Sequence, residues 1–427
     1  MSESPPHRDR AAVDPRPHVV VLGGGFGGLK AVRALAHAPV RVTLVDRRNH
    51  HLFQPLLYQV ATAALATTDV ASPLRQIVRA QQNTTVLLAN AAAIDAPGKR
   101  VLLDDGEIAY DHLIVATGVE TSWFGNDAWA EHAVALKDAD DALAIRARIL
   151  LAFEAAERAT DPVERARLLT FVVIGGGPTG VELAGALTEI ARFTLARDFR
   201  NFDPASARVV LVEAGARLLA AFPDVLSSRV AEMLTEMGVT VRVAQRVTRI
   251  DAAGVELGAE RIASATVLWA AGVRVTPIVA TIGSPLDKSG RALVATDLTV
   301  PGHPEIAVVG DAAAVAWNGG TVPGMCPGAI QMGEHAARNV LRALRGEPRT
   351  PFRFHDKGSL AAIGRTAAVA SIGRIRTAGL WAWFLWVFVH VYYLIGFRNR
   401  LAVLFDWGWL FLTRQRGARV IVERRPG

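Results

Sequence analysis

Two stretches of this chain carry a pattern that few folds accommodate. His18–Leu22 (HVVVL) is a short apolar, β-branched run, and Gly23-x-Gly25-x-x-Gly28 follows it at once. A helical stretch, LKAVRALAHA, comes next, and then a second apolar run, VRVTLVD, ending at Asp46. Strand, glycine turn, helix and strand make a βαβ unit. The order recurs about 150 residues later as LTFVVI, Gly175-x-Gly177-x-x-Gly180, a helix VELAGALTEIARFTLAR, a polar connector and ARVVLVE, ending at Glu213.

Each glycine answers a separate need. The first allows the tight turn, the second lets a pyrophosphate approach the backbone, and the third lets helix pack on strand. N–H groups at the helix start then attract the anion. Asp46, 23 residues after Gly23, is placed to accept hydrogen bonds from a ribose. Glu213 lies 38 residues after Gly175, beyond the usual spacing of about 20. The long helix and the connector Asp198–Ser206 account for the excess. An acid at that strand end repels a 2′-phosphate and favours NADH over NADPH, while Arg217 nearby pulls the other way.

Two such units imply two dinucleotides, and the economical pair is one FAD and one NAD(P)H exchanging a hydride. The first unit, joined to the downstream strand IAVVGD, is expected to hold FAD, with Asp311 at its ribityl or phosphate region. A strand-ending turn would also explain Asp311. Further expected elements are strands at Val101–Leu103 and His112–Ala116, the latter running into Thr117 and Gly118, and helices at Asp138–Thr160 and Gly328–Arg345. The fold expected is α/β, with two Rossmann-like domains, one inserted in the other, and a C-terminal helical segment. The boundaries are a disordered arm at 1–17 without a signal peptide, an FAD-binding domain at 18–125 and 295–370, an NADH-binding domain at 126–294 and a membrane-anchoring segment at 371–427.

The single cysteine narrows the chemistry. Cys326 alone allows no disulfide framework, no redox-active Cys pair and no Cys-ligated iron–sulfur cluster. The 11 His show no metal-ligand spacing, so no metal is expected and an organic cofactor must carry the electrons. Charge narrows the partners. The net +7 comes from nine Arg against Asp406 and Glu423 beyond residue 370; the first 370 residues carry 38 basic and 38 acidic side chains. A neutral body with a cationic tail is no nucleic-acid binder.

That tail contains Ala378–Phe397 (AGLWAWFLWVFVHVYYLIGF), 20 residues without a formal charge, above the threshold of about 18 for a membrane-spanning candidate. LAVLFDWGWLFLT follows, too short to span. Arg374 and Arg376 precede the apolar run and Arg398 and Arg400 follow it. A spanning helix favours Arg on one flank; the symmetry here favours helices packed in a homodimer interface or lying on a lipid surface through residues 378–414. His390 reads as a hydrogen-bonding residue inside the helix.

NHHLFQPLLYQVATAAL (Asn49–Leu65), LIVATGVETSWFG (Leu113–Gly125), VVIGGGPTGVELAGAL (Val172–Leu187), LWAAGV, VVGDAA and DKGSLAAIGR (Asp356–Arg365) together resemble the type II NADH:quinone oxidoreductases. These are single-subunit, non-proton-pumping respiratory NADH dehydrogenases. The resemblance runs from about His18 to Trp409. It implies a flavoenzyme with non-covalent FAD, peripheral on the cytoplasmic face of the inner membrane, that moves a hydride from NADH to FAD and two electrons on to a membrane quinone. On the FAD side it implies Gly23, Gly25, Gly27, Gly28, Asp46, Arg47, Thr117, Gly118, Asp311 and Lys357. On the NADH side it implies Gly175, Gly177, Gly180, Glu213 and Gly272. Gln331, Gln54 and Gly328 fall on the quinone side, and Glu182 matches a glutamate that steers substrate or relays protons. As an acid in the first turn of a helix, Glu182 would also be favoured by the macrodipole.

One departure stands out. The family pattern Ala-Gln-x-Ala-x-Gln is Cys326-Pro327-Gly328-Ala329-Ile330-Gln331 here, so Gln331 is kept and Pro327 replaces the first Gln. This leaves a membrane-bound FAD/NADH sensor of low turnover as an alternative. A ferredoxin-reductase-like enzyme is another, although it has no need of the aromatic tail. Sulfide:quinone and disulfide reductases require more than one redox Cys.

Overall fold

The computed structural model describes residues 14–421. Most of the expected N-terminal arm, and Glu423, Arg424 and Arg425, lie outside the described residues. Five helices matter below: α1 (Phe26–Ala34), α2 (Pro178–Glu189), α3 (Cys326–Leu344), α4 (Leu380–Tyr393) and α5 (Phe397–Thr413). The chain divides into two compact units. One comprises the residues up to Asn49 with Leu74–Gly118 and Val275–Phe354; the other comprises His50–Pro73, Val119–Arg274 and the chain from His355 on. Residues 275–294, expected with the second dinucleotide domain, thus pack in the first unit. The tail from 371, expected as a separate segment, packs in the second.

In the first unit a six-stranded sheet runs in the order Thr299–Val300, His303–Val308, His112–Val115, His18–Leu22, Arg41–Asp46, Thr84–Leu88. Only the edge strand Thr299–Val300 is antiparallel. His18–Leu22 is buried at every position, which is why it reads as an unbroken apolar run. It pairs with Arg41–Asp46 on one side and His112–Val115 on the other. Its glycine loop therefore opens where the chain order of the sheet switches direction, the place where ligands bind in such sheets. Helices α1 and α3 cross at Gly27 and Gly333, where a Cβ on Gly333 would stand 2.0 Å from the Gly27 carbonyl oxygen.

The second unit repeats the logic with five parallel strands ordered Ala133–Ala135, Thr266–Trp269, Thr170–Ile174, Arg208–Val212, Val239–Arg242. The helix after its glycine loop is shorter than the sequence implies. α2 ends at Glu189 and a π-helical turn, Ile190–Thr194, follows. The Leu195 N–H donates to the Ile190 carbonyl at 2.9 Å, and the widened turn ends the regular ladder.

The apolar run of 20 residues is not one helix. Gly379 and Gly396 take φ of +87° and +92°, so the run breaks into a strand end, α4, a three-residue turn and α5. With 14 residues, α4 is about 21 Å long, short of a bilayer core of about 30 Å. Among the described residues no helix is long and apolar enough to cross a membrane. Arg400 lies within α5 and caps α4: Nε donates to the Leu394 carbonyl at 2.8 Å and Nη2 to that of Tyr392 at 2.9 Å. His390 accords with its reading, with Nδ1 2.7 Å from the Trp386 carbonyl oxygen and its ring stacked on Trp386 at 4.2 Å.

Adding one methyl at the α1–α3 crossing tests this packing. Gly333→Ala is expected to lose about 1–3 kcal/mol by overpacking, read as a lower thermal midpoint, whereas Gly408→Ala, exposed in α5 with nothing within 4 Å of its would-be Cβ, is expected to cost nothing of the kind.

Candidate active site

The first glycine loop is shaped by three different surroundings. Gly23 has a φ of +97°, and a Cβ there would lie 2.5 Å from the Ala116 carbonyl oxygen. At Gly28 a Cβ would lie 1.8 Å from the Gly23 oxygen. Gly25, the N-cap of α1, differs: nothing lies within 4 Å of where its Cβ would stand. Two glycines are demanded by the protein itself and one keeps a space clear at a helix N-terminus, as a pyrophosphate cradle needs. Asp46 faces this loop, its two oxygens accepting from the Gly24 N–H at 2.5 Å and the Arg48 N–H at 2.7 Å. Each carboxylate oxygen has a second lone pair for a ribose hydroxyl.

The second loop reproduces these features. Gly175 has a φ of +112° with the Ala270 oxygen 2.6 Å from its would-be Cβ, and the Gly180 position meets the Gly175 oxygen at 1.8 Å. Nothing lies within 4 Å at Gly177. Glu213 accepts from the Gly176 N–H at 2.6 Å and from the Gly215 N–H at 2.5 Å, the role that Asp46 has in the first unit despite the longer spacing. Arg217 turns away from this work. Its guanidinium donates to the Ala220 carbonyl at 2.9 Å, to that of Phe222 at 3.2 Å and to Asp224. Gly272 has a φ of +85° and lies directly under the Phe124 ring, whose Cζ would be 2.3 Å from a Cβ.

The other expected residues distribute between the units. In the first, Thr117 accepts from the Thr276 hydroxyl at 2.7 Å, Gly118 has a φ of +65° and Arg47 is exposed just past Asp46. Asp311 sits in the turn Gly310–Ala312 after the strand His303–Val308. Ala329 of α3 reaches both Gly27, with its oxygen 3.2 Å from the would-be Cβ, and Gly310, at 3.3 Å. The start of α3 is thus brought to the start of α1 and to the Asp311 turn. Pro327 occupies the first turn of α3, where its missing N–H leaves no bond unmade. The substitution leaves the helix opening intact, and the Gln331 amide donates back to the Pro327 carbonyl at 3.1 Å. Gly328 is buried, with Val322 Cγ1 3.1 Å from its would-be Cβ.

In the second unit, Gln54 is exposed in the turn Gln54–Leu56 and Lys357 is exposed with Nζ 3.4 Å from the Tyr393 hydroxyl. Glu182 is not in the first turn of α2, which has no acid, but one residue further in. The macrodipole account therefore fails for it. It is buried, and Oε1 accepts from the Ala362 N–H at 3.2 Å. Burial pushes its carboxyl up to about 8, against the lowering effect of that one hydrogen bond. Tyr58, also buried, has its hydroxyl pushed well above its ordinary value by burial and by the nearby Glu182.

Some residues escaped sequence reasoning. Gly333 had a signal, an isolated glycine inside a helical pattern. The buried ion pair of Arg416 and Glu189, at 3.2 Å, had none, because its partners stand 227 residues apart in the chain.

Comparison with known proteins agrees with this geometry. Residues 17–333 match the pyridine nucleotide-disulphide oxidoreductase family, and residues 356–415 match the NDH2 C-terminal domain. The chain is 44% identical to the type II NADH:quinone oxidoreductase NdhA of Mycobacterium tuberculosis, over 97% of this chain and 91% of that protein. It is 42% identical to the type II NADH:quinone oxidoreductase Ndh of the same organism, over 98% and 94%. The fold also matches that of NDH2 from Plasmodium falciparum, solved in complex with NADH, with a TM-score of 0.87 at 18% identity over 96% of this chain and 100% of that one.

The two open loop positions give paired expectations. Gly25→Ala should fold but purify with less FAD. Gly177→Ala should keep its flavin and raise the NADH KM several-fold. Flavin absorbance per protein and steady-state kinetics read the two effects separately, and equal flavin loss in both variants would contradict the assignment.

Proposed function

The chain belongs to the type II NADH:quinone oxidoreductases, and from that premise we propose how its own residues serve the reaction. The enzyme oxidises NADH and passes two electrons to a quinone without pumping protons. When bound, FAD accepts the hydride from NADH and gives up the electron pair to the quinone.

The observation that carries the reading is the repeated cradle, with Gly25 and Gly177 each leaving clear the place a diphosphate would take. In the first unit, Gly23, Gly25, Gly27 and Gly28 admit the FAD pyrophosphate to the start of α1, while Asp46 binds a ribose and Asp311 the ribityl side. In the second, Gly175, Gly177 and Gly180 do the same for NADH. Glu213 accepts its ribose hydroxyls, and the absence of a facing guanidinium at Arg217 disfavours a 2′-phosphate. Gln54, Gly328 and Gln331 serve the quinone side, with Lys357 on the flavin. The feature that suggested a low-turnover sensor, Pro327, is absorbed by the first turn of α3.

Glu182 holds a proton. Quinone reduction takes up two protons and hydride brings one, so a buried carboxyl that stays neutral up to about 8 is suited to supply the other. The enzyme is peripheral, seated on the cytoplasmic face where NADH is found. It is held by the outer faces of α4 and α5, on which Trp381 and Leu412 are each 80% exposed and Phe388 and Phe405 are nearly as open. Such a contiguous apolar face sinks into the acyl boundary.

Purified protein should be yellow, bleach with NADH and regain colour with a short-chain quinone; bleaching without quinone-dependent recovery would sink the reading. Glu182→Gln should leave bleaching by NADH unchanged and slow the quinone step. The wild-type quinone step should decline as pH rises through about 8, and that break should be missing in the variant. A folded carboxyl that keeps its proton to about 8, against 4.5 ordinarily, loses stability as pH rises across that window. Melting at pH 5 and pH 8 should therefore show Glu182→Gln gaining on wild type with pH.

Trp381→Glu combined with Leu412→Glu should reduce co-sedimentation with anionic vesicles several-fold and spare bleaching by NADH. Unchanged sedimentation with a dimer turned monomer would reassign the face to a homodimer interface.

A further inference from the structure

The second cradle accounts for one end of a dinucleotide and for its middle. Glu213, just past the strand Arg208–Val212, is the ribose acceptor of the adenosine half, and Gly177 leaves clear the place of the diphosphate at the start of α2. The strand Thr170–Ile174, which feeds that loop, has Arg208–Val212 on one side and Thr266–Trp269 on the other. A dinucleotide laid over the carboxyl ends of these strands therefore carries its other half, ribose and nicotinamide, toward the end of Thr266–Trp269. Ala270, Ala271 and Gly272 continue the chain there. A Cβ on Gly175 would lie 2.6 Å from the Ala270 oxygen and 2.8 Å from the Ala271 nitrogen, so this segment forms the flank of the cradle.

One aromatic ring is held over that flank. Three ring atoms of Phe124 would stand 2.3, 2.7 and 3.0 Å from a Cβ on Gly272, an approach that only glycine allows. Phe124 itself has a φ of +52°, a left-handed conformation that is costly for a bulky residue. Its neighbours hold it there. The Ser122 N–H donates to the Gly272 carbonyl at 3.3 Å, and the Phe124 N–H donates to Ser122 Oγ at 3.3 Å. The Asn126 amide donates to the Trp123 carbonyl at 3.3 Å and to that of Phe124 at 3.2 Å.

Packing does not explain the ring. Trp123 and Trp129 serve the core, with ring centres 5.1 and 5.6 Å from that of Trp269, inside the apolar cluster of this sheet. The Trp269 indole N–H is answered by the Ser122 carbonyl at 3.0 Å. Phe124, 6.1 Å from Trp269, is left 65% exposed. A strained, braced and open ring seated on a glycine beside a cradle is placed for a ligand.

We propose that Phe124 binds substrate: its ring is the aromatic wall against which the ribose and nicotinamide of NADH rest as they pass Gly272. This inference rests on the reading of the Gly177 loop as the NADH cradle. The ring supplies contact area and no hydrogen bond, so it sets where that half of the molecule lies and leaves the carboxamide free.

The test titrates oxidised, flavin-loaded, full-length protein with NAD+ and, separately, with ADP, which has the adenosine and diphosphate but lacks the other half. Phe124→Ala should weaken NAD+ binding about fivefold and leave ADP binding unchanged. Phe124→Tyr, which keeps the ring, should restore the NAD+ affinity, and Phe124→Leu should not. Gly272→Ala, which pushes the ring aside while retaining it, should reproduce the loss seen with Phe124→Ala. Unaltered NAD+ binding in Phe124→Ala overturns the proposal, as does an equal weakening of NAD+ and ADP, which would make the residue structural. The cradle reading is judged on another variant: Gly177→Ala should weaken ADP and NAD+ alike, and undiminished ADP binding there refutes that reading whatever Phe124 does.

Discussion

A backbone carbonyl with no room for a methyl group in front of it governs both units. At Gly28 and again at Gly180, a Cβ would fall 1.8 Å from the oxygen of the glycine that opens the loop. This contact lets a helix begin immediately after a buried strand, with its N-terminus over the open edge of a parallel sheet. The acids then fix the loop: Asp46 and Glu213 each accept the N–H of the second residue, Gly24 or Gly176. Both loops are therefore set in shape by the protein's own hydrogen bonds, and a dinucleotide meets a preorganised site. The space at Gly25 and Gly177 is what remains once the other positions are committed.

Constraints of that kind are local, and so they are legible in sequence. Six glycines and two acids gave the βαβ units, their order and the pairing of cofactors. The length of the apolar run at 378–397 does not set the length of a helix, because a lone Gly396 with positive φ is enough to end one helix and start another. Glu182 lies past the first turn of α2 because that helix starts at Pro178, and the N–H that meets its carboxyl belongs to Ala362, 180 residues away. Arg416, one of the nine Arg of the cationic tail, is buried against Glu189. Arg414, too, lies over the Phe193 ring, at 4.7 Å. Nothing within a window of sequence distinguishes these arginines from Arg374 or Arg376, because long-range partners decide their fate.

The second unit concentrates its tasks on one helix. α2 starts at the Gly177 loop, carries Glu182 in its interior and ends at Glu189, where the tail is latched by Arg416. The face of α2 that bears Glu182, Ala186 and Glu189 follows the helical spacing of three and four. The second glycine loop, the buried Glu182 carboxyl and the latch for the C-terminal helices thus share a single element. The cationic tail met first as a surplus of charge is in part an internal fastening.

That fastening bears on how the protein can be shortened. A chain cut after Gly379 to shed α4 and α5 from solution work would not merely lose an anchor. It would take away the guanidinium that answers the Glu189 carboxylate, together with the donors held by the Thr62 and Ala186 carbonyls. The Glu189 carboxylate, at the foot of the helix that opens the second cradle, would keep the Arg365 N–H at 2.6 Å and lose its charge partner, which destabilises it. Solubility is better sought on the outer rings of α4 and α5 than by truncation, which removes Arg416 together with the helices.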